Sequence, residues 1–370
     1  MVRAGLGSEW SCLFANDFDH KKCAAYRANW ESDALKPADV KTLKTRDLPG
    51  KADLAWASFP CQDLSLAGGG AGLQGERSGT FWPFWRLMKS LVKEERAPDI
   101  IVLENVCGAL TSHQGKDFIA ICAEFQQAGY RYGAMVIDAA LFIPQSRPRL
   151  FVIGVRENVA IPDRLHRNVP SATWHTRTLQ MAFSNLPKKS KEVWMWWNPP
   201  VPPERRIGLS DLIENEPNGV AWHTDAETRT LLSLMSDINL AKVKAAQKTS
   251  KRIVGTIYKR TRHDENGVRM QRAEVRFDNV AGCLRTPAGG SSRQVILVVE
   301  GEKARSRLIS SRETARLMGL SDKYKLPENY NEAYHLTGDG VVVPVVRHLA
   351  TNLFEPILES QNTMSKMVAA

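Results

Sequence analysis

Two residues with side chains suited to covalent catalysis each follow an apolar segment of this sequence. Cys61 comes directly after residues 52–59, in the run Phe59-Pro60-Cys61-Gln62, and Glu104 comes directly after residues 99–103. A thiolate can add to an electrophilic carbon, and a neighbouring carboxyl group can donate or accept a proton during that addition. If the fold brings the two side chains together, the pair predicts nucleophilic catalysis with a proton donor beside it.

Alternating strands and helices over residues 11–155 predict an α/β fold. The apolar runs that are typical of strands are residues 52–59, 99–103, 132–137 and 150–155. The runs with apolar side chains at helical spacing are residues 81–92 and 118–125. This alternation favours a largely parallel sheet covered on both faces. Because ligands bind beyond the carboxyl ends of the strands of such a sheet, Cys61 and Glu104 are expected to meet at one edge.

Two other segments could support a reaction at that edge. Arg147 and Arg149 open the predicted strand at residues 150–155, and side chains two residues apart on a strand share a face. Two such guanidinium groups could hold a phosphate and a base carbonyl group, or they could simply face solvent. The Gly-rich residues 64–79 fit either a flexible surface loop or a lid over the substrate.

Charge and cysteine usage restrict the partners. The formal net charge is +10, and residues 241–276 contain eleven Lys or Arg residues against three acidic residues. Such an excess favours a polyanionic partner, although a charged run can also be a solvated surface. No apolar run approaches the ~20 residues of a membrane span, so no membrane partner is expected. The six cysteines lack metal-ligand spacing, which favours a reducing cytoplasm and no metal site.

Six short motifs, in the same order, resemble those of the DNA cytosine-5 methyltransferase family. They are Pro60-Cys61-Gln62, Gly75-Glu76-Arg77-Ser78, Glu104-Asn105-Val106, the Gln145/Arg147/Arg149 pattern, residues 312–319 (Arg-Glu-Thr-Ala-Arg-Leu-Met-Gly) and residues 338–344 (Gly-Asp-Gly-Val-Val-Val-Pro). Each motif is weak alone, but the ordered set identifies the chain as a member of this family. The resemblance implies a Rossmann-like class I S-adenosylmethionine-dependent methyltransferase sheet with a smaller target-recognition domain.

The resemblance also implies a role for each matching residue. Cys61 would add to C6 of a flipped-out cytosine, while Glu104 would hydrogen-bond N3 and the exocyclic amine. Arg149 would contact the cytosine carbonyl oxygen, and Arg147 would steady the catalytic loop and a nearby phosphate. C5 would then accept a methyl group, because addition at C6 makes it nucleophilic. Further substrate contacts are expected from Gln62, Ser65, Asn105, Gln145 and Arg293.

The cofactor implied by the resemblance is S-adenosylmethionine. Asp17, followed by Phe18, matches the acidic residue that binds the ribose hydroxyl groups, and Asp39-Val40 matches the pair that holds the adenine. Pro60, Asp339 and Gly340 would complete the pocket. At position 339 the family usually has Asn, and an Asp carboxylate cannot donate the hydrogen bonds of an amide.

A second departure from the family lies at the start of the sequence. The family begins with a strand and a Phe-x-Gly-x-Gly-Gly loop around the methionine part of the cofactor, whereas Met1 to Leu6 resembles the helix after that loop. The first strand is therefore expected to be missing from this sequence. A start codon placed too late is favoured over a form that binds the cofactor poorly, because the remaining motifs are intact.

The expected organisation has three parts. Residues 1–157 form the catalytic S-adenosylmethionine-dependent domain, residues 158–300 the target-recognition region, and residues 301–370 a segment that returns to the catalytic domain. The basic run lies inside the recognition region, which favours contact with DNA phosphates. Residues 284–294 resemble a loop presented to DNA.

The expected partner is double-stranded DNA, and a cognate restriction endonuclease is a further candidate. The protein is expected to be a cytoplasmic, nucleoid-associated monomer. One alternative retains the fold and changes the substrate, which gives a transfer-RNA cytosine-5 methyltransferase. The other is a truncated, inactive homologue that only binds DNA. The basic recognition region favours DNA, and the intact Cys61, Glu104 and Arg149 favour an enzyme.

Overall fold

The structure is a computed structural model that describes residues 1–31, 33–59, 80–263, 267–286 and 293–361. In chain order the helices are α1 (Val2–Leu6), α2 (His20–Asn29), α3 (Phe81–Lys93), α4 (Lys116–Gln127), α5 (Arg177–Ser184), α6 (Lys188–Glu192), α7 (Leu209–Leu212), α8 (Asp225–Ser233), α9 (Asp237–Gln247), α10 (Ser311–Arg316), α11 (Tyr330–Asp339) and α12 (Val343–Leu349). The strands are β1 (Ala15–Asp17), β2 (Leu35–Pro37), β3 (Leu54–Ser58), β4 (Ile100–Asn105), β5 (Tyr130–Asp138), β6 (Pro148–Arg156), β7 (His166–Arg167), β8 (Trp196–Trp197), β9 (Ile253–His263), β10 (Arg269–Arg276), β11 (Val295–Glu300) and β12 (Lys303–Leu308).

The chain divides into two compact units. The first unit contains Val2–Asp138, Pro148–Pro202 and the chain from Val345 onward, and the second contains Met1, Ala139–Arg147 and Pro203–Pro344. This division rests on contacts alone. The three functional parts expected from the sequence therefore remain a prediction.

The main sheet of the first unit has the strand order β3-β4-β6-β5. Only β3 and β4 are parallel, and β6 is antiparallel to both of its neighbours. A separate parallel pair joins β1 to β2. The α/β class expected from the sequence is confirmed, but the largely parallel sheet is wrong. Residues 139–147 are too short a connection for the crossover of about a dozen residues that parallel strands need, so β6 must run antiparallel to β5.

Strand β4 is buried on both faces along its whole length. The strand ends at Asn105, so Glu104 and Asn105 are its last two paired residues. The apolar pattern indicated a strand that ends before them. In the parallel register Ser58 of β3 pairs with Glu104 of β4. The carboxyl ends of these two strands therefore lie side by side, as expected.

Helix α3 shows why the aromatic residues after the Gly-rich segment form a helix. Its apolar residues recur at helical spacing, and Phe81, Trp85 and Met88 are buried against the sheet. Trp85 packs on Phe125 of α4, with ring centroids 4.6 Å apart. The predicted helices at residues 81–92 and 118–125 are confirmed, and their packing covers one face of the main sheet.

An aromatic cluster in the first unit surrounds one buried histidine. His175 is 1% exposed, and its ring meets Trp196 edge-on at 4.8 Å. Its Nδ1 accepts a hydrogen bond from the backbone N–H of Ser171, whereas its Nε2 has no partner within the described part of the chain. Burial lowers the pKa of His175 from its ordinary 6.5 to about 4. The fold therefore holds the neutral imidazole.

We expect stability to fall with acidity because of His175. Between pH 6.5 and pH 4 the His175 side chain is protonated in the unfolded chain but neutral in the folded chain. The free energy of unfolding therefore decreases as the pH falls. The slope contributed by this one group approaches about 1.4 kcal/mol per pH unit. His175→Asn, whose amide oxygen can still accept from Ser171, should flatten the dependence measured by urea denaturation between pH 7 and pH 4. The exposed His20→Asn is the control, and an equal flattening in both variants would contradict the assignment.

The second unit is built on an antiparallel sheet with the strand order β10-β9-β11-β12. Helices α8 and α9 pack on one face of this sheet, where Leu231, Met235 and Val243 meet Ile257 and Leu297. Helix α10 begins at its N-cap Ser310 and is followed by Gly319 at φ +74°. The unit thus has its own core.

One helical stretch in the described chain, residues Tyr330–Gln361, is long and apolar enough to cross a membrane by length and composition. Half of its most apolar window is buried inside the protein, and the helix is interrupted at residues 340–342. Core helices of soluble proteins pass the same test, so this stretch gives little support for a membrane span.

Candidate active site

The carboxyl end of β3 is fixed by Asn105. The side-chain amide of Asn105 donates to the backbone carbonyl of Phe59 at 3.2 Å, and its oxygen accepts from the backbone N–H of Val106 at 2.8 Å. Phe59 is the residue before Pro60-Cys61 in the sequence. Asn105 therefore positions the start of the segment that contains the predicted nucleophile, while its predicted substrate contact stays a prediction.

Four predicted residues follow that point and lie outside the described residues. They are Pro60, Cys61, Gln62 and Ser65. Their predicted roles as cofactor contact, nucleophile and substrate contacts are therefore not placed by the structure.

Glu104 and Arg149 form a buried ion pair. Nε of Arg149 lies 3.3 Å from Oε1 of Glu104, and the two side chains are 16% and 7% exposed. Arg149 lies in β6, which pairs with β4, so the main sheet itself holds the two groups together. A carboxylate beside a cation at a strand end can hydrogen-bond a polar ring on one side while the guanidinium reaches a carbonyl oxygen. The sequence predicted both residues but not their contact.

Three described thiols of the first unit, those of Cys23, Cys107 and Cys122, show no sign of activation. Burial raises the pKa of Cys107, three residues after Glu104, and the positive charge of Arg149 only partly opposes that rise. Burial also raises the pKa of Cys23 and of Cys122. A thiol whose pKa is raised is a poor nucleophile at neutral pH. Among these cysteines none competes with Cys61 for the catalytic role.

Arg147 is buried in the second unit and organises backbone. Its guanidinium donates to the carbonyl oxygens of Leu284, Gly338 and Gly340, each at 2.8 Å, and one nitrogen lies 3.2 Å from Sγ of Cys283. Arg147 and Arg149 thus engage different protein groups, Arg147 backbone carbonyl oxygens and Arg149 the Glu104 carboxylate. The geometry makes Arg147 a positioning residue, and its contact with a phosphate stays a prediction.

Gln145, like Arg147, is buried in the second unit and binds backbone groups. Its side-chain nitrogen donates to the carbonyl oxygen of Leu317 at 2.5 Å, and its side-chain oxygen accepts from the backbone N–H of Leu284 at 3.0 Å. The side chain is fully buried. Both ends of the amide therefore bind backbone, and the predicted substrate contact of Gln145 stays a prediction. Arg293, the other predicted substrate contact in this unit, lies over the ring of Tyr330 and donates to the side chain of Asn331.

The residues predicted to hold the cofactor in the first unit lie at the ends of β1 and β2. Asp17 ends β1 half-buried, and burial raises the pKa of its carboxyl group. The next residue, Phe18, is 67% exposed. Asp39 follows β2, where its carboxylate caps the short helical turn Val40–Thr42 through the backbone N–H of Lys41. An acidic group at a strand end beside an exposed ring fits a ligand with ribose hydroxyl groups and a flat purine.

Two further predicted cofactor contacts lie in the second unit. Asp339 is the last residue of α11 and is exposed, and Gly340 follows it. The carbonyl oxygen of Gly340 accepts from Arg147, and a Cβ at this position would lie 2.1 Å from Sδ of Met1. A side chain at position 340 would therefore displace the end of the Met1 side chain. The sequence did not predict that Arg147 holds the backbone at Gly340.

No group of His, Cys, Asp and Glu suited to a metal ion occurs among the described residues. The sequence also missed a buried ion pair between Arg307 and Glu313 in the second unit. The available signal was the capping-box pattern Ser310-x-x-Glu313, which predicts a helix start but not the arginine that the glutamate binds.

The fold resembles solved methyltransferase structures. A Dnmt2 methyltransferase of S. pombe superposes with a TM-score of 0.53 at 17% identity, covering 94% of this chain and 91% of that one. A putative DNA modification methyltransferase encoded within a prophage of E. coli gives a TM-score of 0.55 at 15% identity, covering 98% and 95%. At such identities the likeness establishes the fold alone. The class I methyltransferase fold expected from the sequence is confirmed.

Curated relatives are bacterial Type II methyltransferases. M.BsuFI of Bacillus subtilis is 24% identical over 369 residues, which is 99% of this chain and 72% of that protein. M.HhaI of Haemophilus parahaemolyticus is 22% identical, covering 92% and 87%. M.NgoFVII of Neisseria gonorrhoeae is 31% identical over 196 residues, where the match spans about half of each protein (51% and 50%).

The family described as C-5 cytosine-specific DNA methylase matches residues 2–355. This match spans almost the whole sequence and includes the β4 and β6 ends, where Glu104 and Arg149 form their ion pair. It agrees with the family that the six ordered motifs indicated. The chain belongs to the C-5 cytosine-specific DNA methylase family and is an enzyme of that family.

Proposed function

We propose that this enzyme transfers the methyl group of S-adenosylmethionine to C5 of a flipped-out cytosine in duplex DNA, with Cys61 as the nucleophile. The observation that carries the proposal is the pair Glu104–Arg149 at the carboxyl end of β4, beside the Asn105 amide that holds Phe59. These contacts supply a fixed carboxylate and guanidinium next to the start of the Pro-Cys-Gln segment.

The residues would share the reaction as follows. The Cys61 thiolate adds to C6 of cytosine, and the electron pair of the C5–C6 double bond moves into the ring. Glu104 stabilises this charge by hydrogen-bonding at N3 and the exocyclic amine, and Arg149 does so at the carbonyl oxygen. C5 becomes nucleophilic and is methylated. A base then removes the C5 proton, the electron pair of the C5–H bond re-forms the C5–C6 double bond, and the C6–S bond breaks to release the Cys61 thiolate.

S-adenosylmethionine, when bound, supplies the methyl group as an electrophile. Asp17 would bind its ribose hydroxyl groups, Phe18 and Val40 would contact the purine, and Asp39 would accept from the purine amine. Pro60, Asp339 and Gly340 would complete the pocket. The exposed ring of Phe18 directly after the half-buried carboxylate of Asp17 supports this arrangement.

Double-stranded DNA is the substrate that the observations favour. The family description names DNA, and the second unit contains the basic residues of the recognition region. The relatives are named Type II methyltransferases, which supports a restriction-modification setting with a cognate endonuclease in a bacterial cytoplasm. Gln62, Ser65, Gln145 and Arg293 remain proposed substrate contacts.

The proposal is tested by methyl transfer with the wild-type chain. Purified protein is incubated with S-adenosylmethionine carrying a tritiated methyl group and with either unmethylated plasmid DNA or transfer RNA. We expect label in DNA, recovered as 5-methylcytosine after hydrolysis, and none above background in RNA. Label in RNA alone would establish the transfer-RNA alternative. Binding to DNA without any transfer would establish the inactive homologue.

A further inference from the structure

Strands β9 and β10 extend beyond the sheet of the second unit. Strand β11 pairs with β9 only from Ile253 to Ile257, whereas β10 pairs with β9 from Thr256 to His263. Within the described chain, residues 259–263 therefore pair only with residues 269–273 of β10, where Ala273 also bridges to Met235. They form a two-stranded antiparallel segment, here called the ribbon.

Only the base of the ribbon is held by the core of its unit. Ile257, Ala273 and Val275 are buried in that core, at the base of the ribbon. Farther out, Lys259, Arg260 and Thr261 on β9 and Arg269 and Gln271 on β10 are exposed. A two-stranded segment without a hydrophobic face is only marginally stable in water. A binding partner would stabilise such a segment.

One face of the ribbon has like charges directly opposed. In the antiparallel register Arg260 pairs with Arg272, and Glu274 lies next on the same face. Glu274 approaches Arg260 at 3.1 Å, and within the described residues Arg272 has no ion pair. Like charges that face each other across strands destabilise a sheet. An arrangement of this kind is stabilised when a partner supplies negative charge or hydrogen-bond acceptors to both guanidinium groups.

We propose that the ribbon lies in the major groove of duplex DNA with Arg260 and Arg272 against the DNA. The major groove admits a two-stranded β-ribbon, and arginine commonly binds O6 and N7 of guanine there. The shared chemistry is a row of hydrogen-bond acceptors, which guanine edges or the flanking phosphates can supply. In A-form RNA the major groove is too deep and narrow for side chains to read, so the geometry favours DNA. This inference rests on the proposed function.

The test uses a charge-matched pair of variants. Arg260→Gln with Arg272→Gln removes two charges from the proposed face, and Lys259→Gln with Arg269→Gln removes two charges from the opposite face. The probe is a fluorescently labelled 30-base-pair DNA duplex of mixed sequence, with Kd measured by anisotropy from 50 to 200 mM salt. We expect the first variant to bind about tenfold more weakly, and each of the two arginines that contacts a phosphate should account for about 0.9 of the slope of log Kd against log salt. The second should change Kd less than threefold.

Two further probes define the contact. A DNA duplex with 7-deazaguanine lacks the N7 acceptor. Weaker binding of the wild-type protein to this duplex would place the arginines on guanine edges. Unchanged binding would place them on the phosphates that flank the groove. With an RNA duplex the two variants should bind alike. Equal losses for both variants on DNA, or an equal Arg260/Arg272 effect on RNA, would overturn the inference. Methyl transfer to DNA by wild type keeps the proposed function standing in that event, whereas absent transfer by wild type counts against the function itself.

Discussion

Replacement of Cys61 by alanine is expected to abolish methyl transfer and covalent capture of DNA. The expected loss in turnover is a factor on the order of 10⁴ or more, as is found when the nucleophile of a covalent mechanism is removed. Capture is measured with duplex DNA containing 5-fluorocytosine, in the presence of S-adenosylmethionine. Fluorine at C5 cannot leave as a proton does, so the Cys61–C6 bond should persist through denaturing electrophoresis.

The physical reason lies in what the other groups can do without the thiol. Glu104 and Arg149 can polarise the ring, but in the aromatic ring C5 stays a poor nucleophile until a bond forms at C6. Cys23, Cys107 and Cys122 offer no substitute, since burial raises the pKa of each thiol. The loss should therefore be near complete and not partial.

Cys107→Ala is the matched control for this experiment. Cys107 is half-buried, lies three residues after Glu104, and senses the charge of Arg149, yet it has no part in the proposed chemistry. This variant should capture DNA within about threefold of wild type, provided that its thermal unfolding is unchanged. Capture that is undiminished in Cys61→Ala, or lost equally in both variants, would contradict the assignment of the nucleophile.

The sequence predicts the elements of this enzyme better than their pairing. Helix α3 is readable because Phe81, Trp85 and Met88 repeat at helical spacing, and burial follows from that repeat. The end of β4 is not readable, because Glu104 and Asn105 are polar. They continue the strand because Glu104 forms an ion pair with Arg149 and the Asn105 amide donates a hydrogen bond to the Phe59 carbonyl oxygen. The antiparallel β6 could have been predicted from the short connection at residues 139–147.

The contacts of Arg147 in the second unit could not be predicted from the sequence, for a different reason. Arg147 binds carbonyl oxygens at Leu284, Gly338 and Gly340, which are far away in the chain and identical in chemistry to every other backbone carbonyl. A motif can mark such an arginine as important without revealing its partners. The spacing of Arg147 and Arg149 suggested a shared face and a shared ligand. Their actual contacts differ because the chain passes from one compact unit to the other between them.

A buried ion pair in the second unit provides the largest expected effect on stability. Arg307 of β12 donates to both oxygens of Glu313 in α10, at 2.8 and 2.6 Å, and both side chains are fully buried. The same carboxylate accepts from the backbone N–H groups of Ser310 and Glu214, each at 2.8 Å. Glu313 therefore joins the start of α10 to a strand and to a distant segment through one carboxylate.

Glu313→Ala should destabilise the second unit by about 3–5 kcal/mol, because it leaves the Arg307 charge buried without its partner. Urea denaturation followed by circular dichroism measures the loss, and hydrogen exchange of the backbone N–H groups of Ser310 and Glu214, which the Glu313 carboxylate accepts from, measures it locally. Asp322→Ala, which breaks the exposed pair with Arg316, should cost less than about 1 kcal/mol. The double change Glu313→Leu with Arg307→Met removes both charges and should recover part of the loss. Equal losses for Glu313→Ala and Asp322→Ala would show that the buried charge is compensated elsewhere, whereas recovery in the double variant would locate the cost in the unpaired guanidinium.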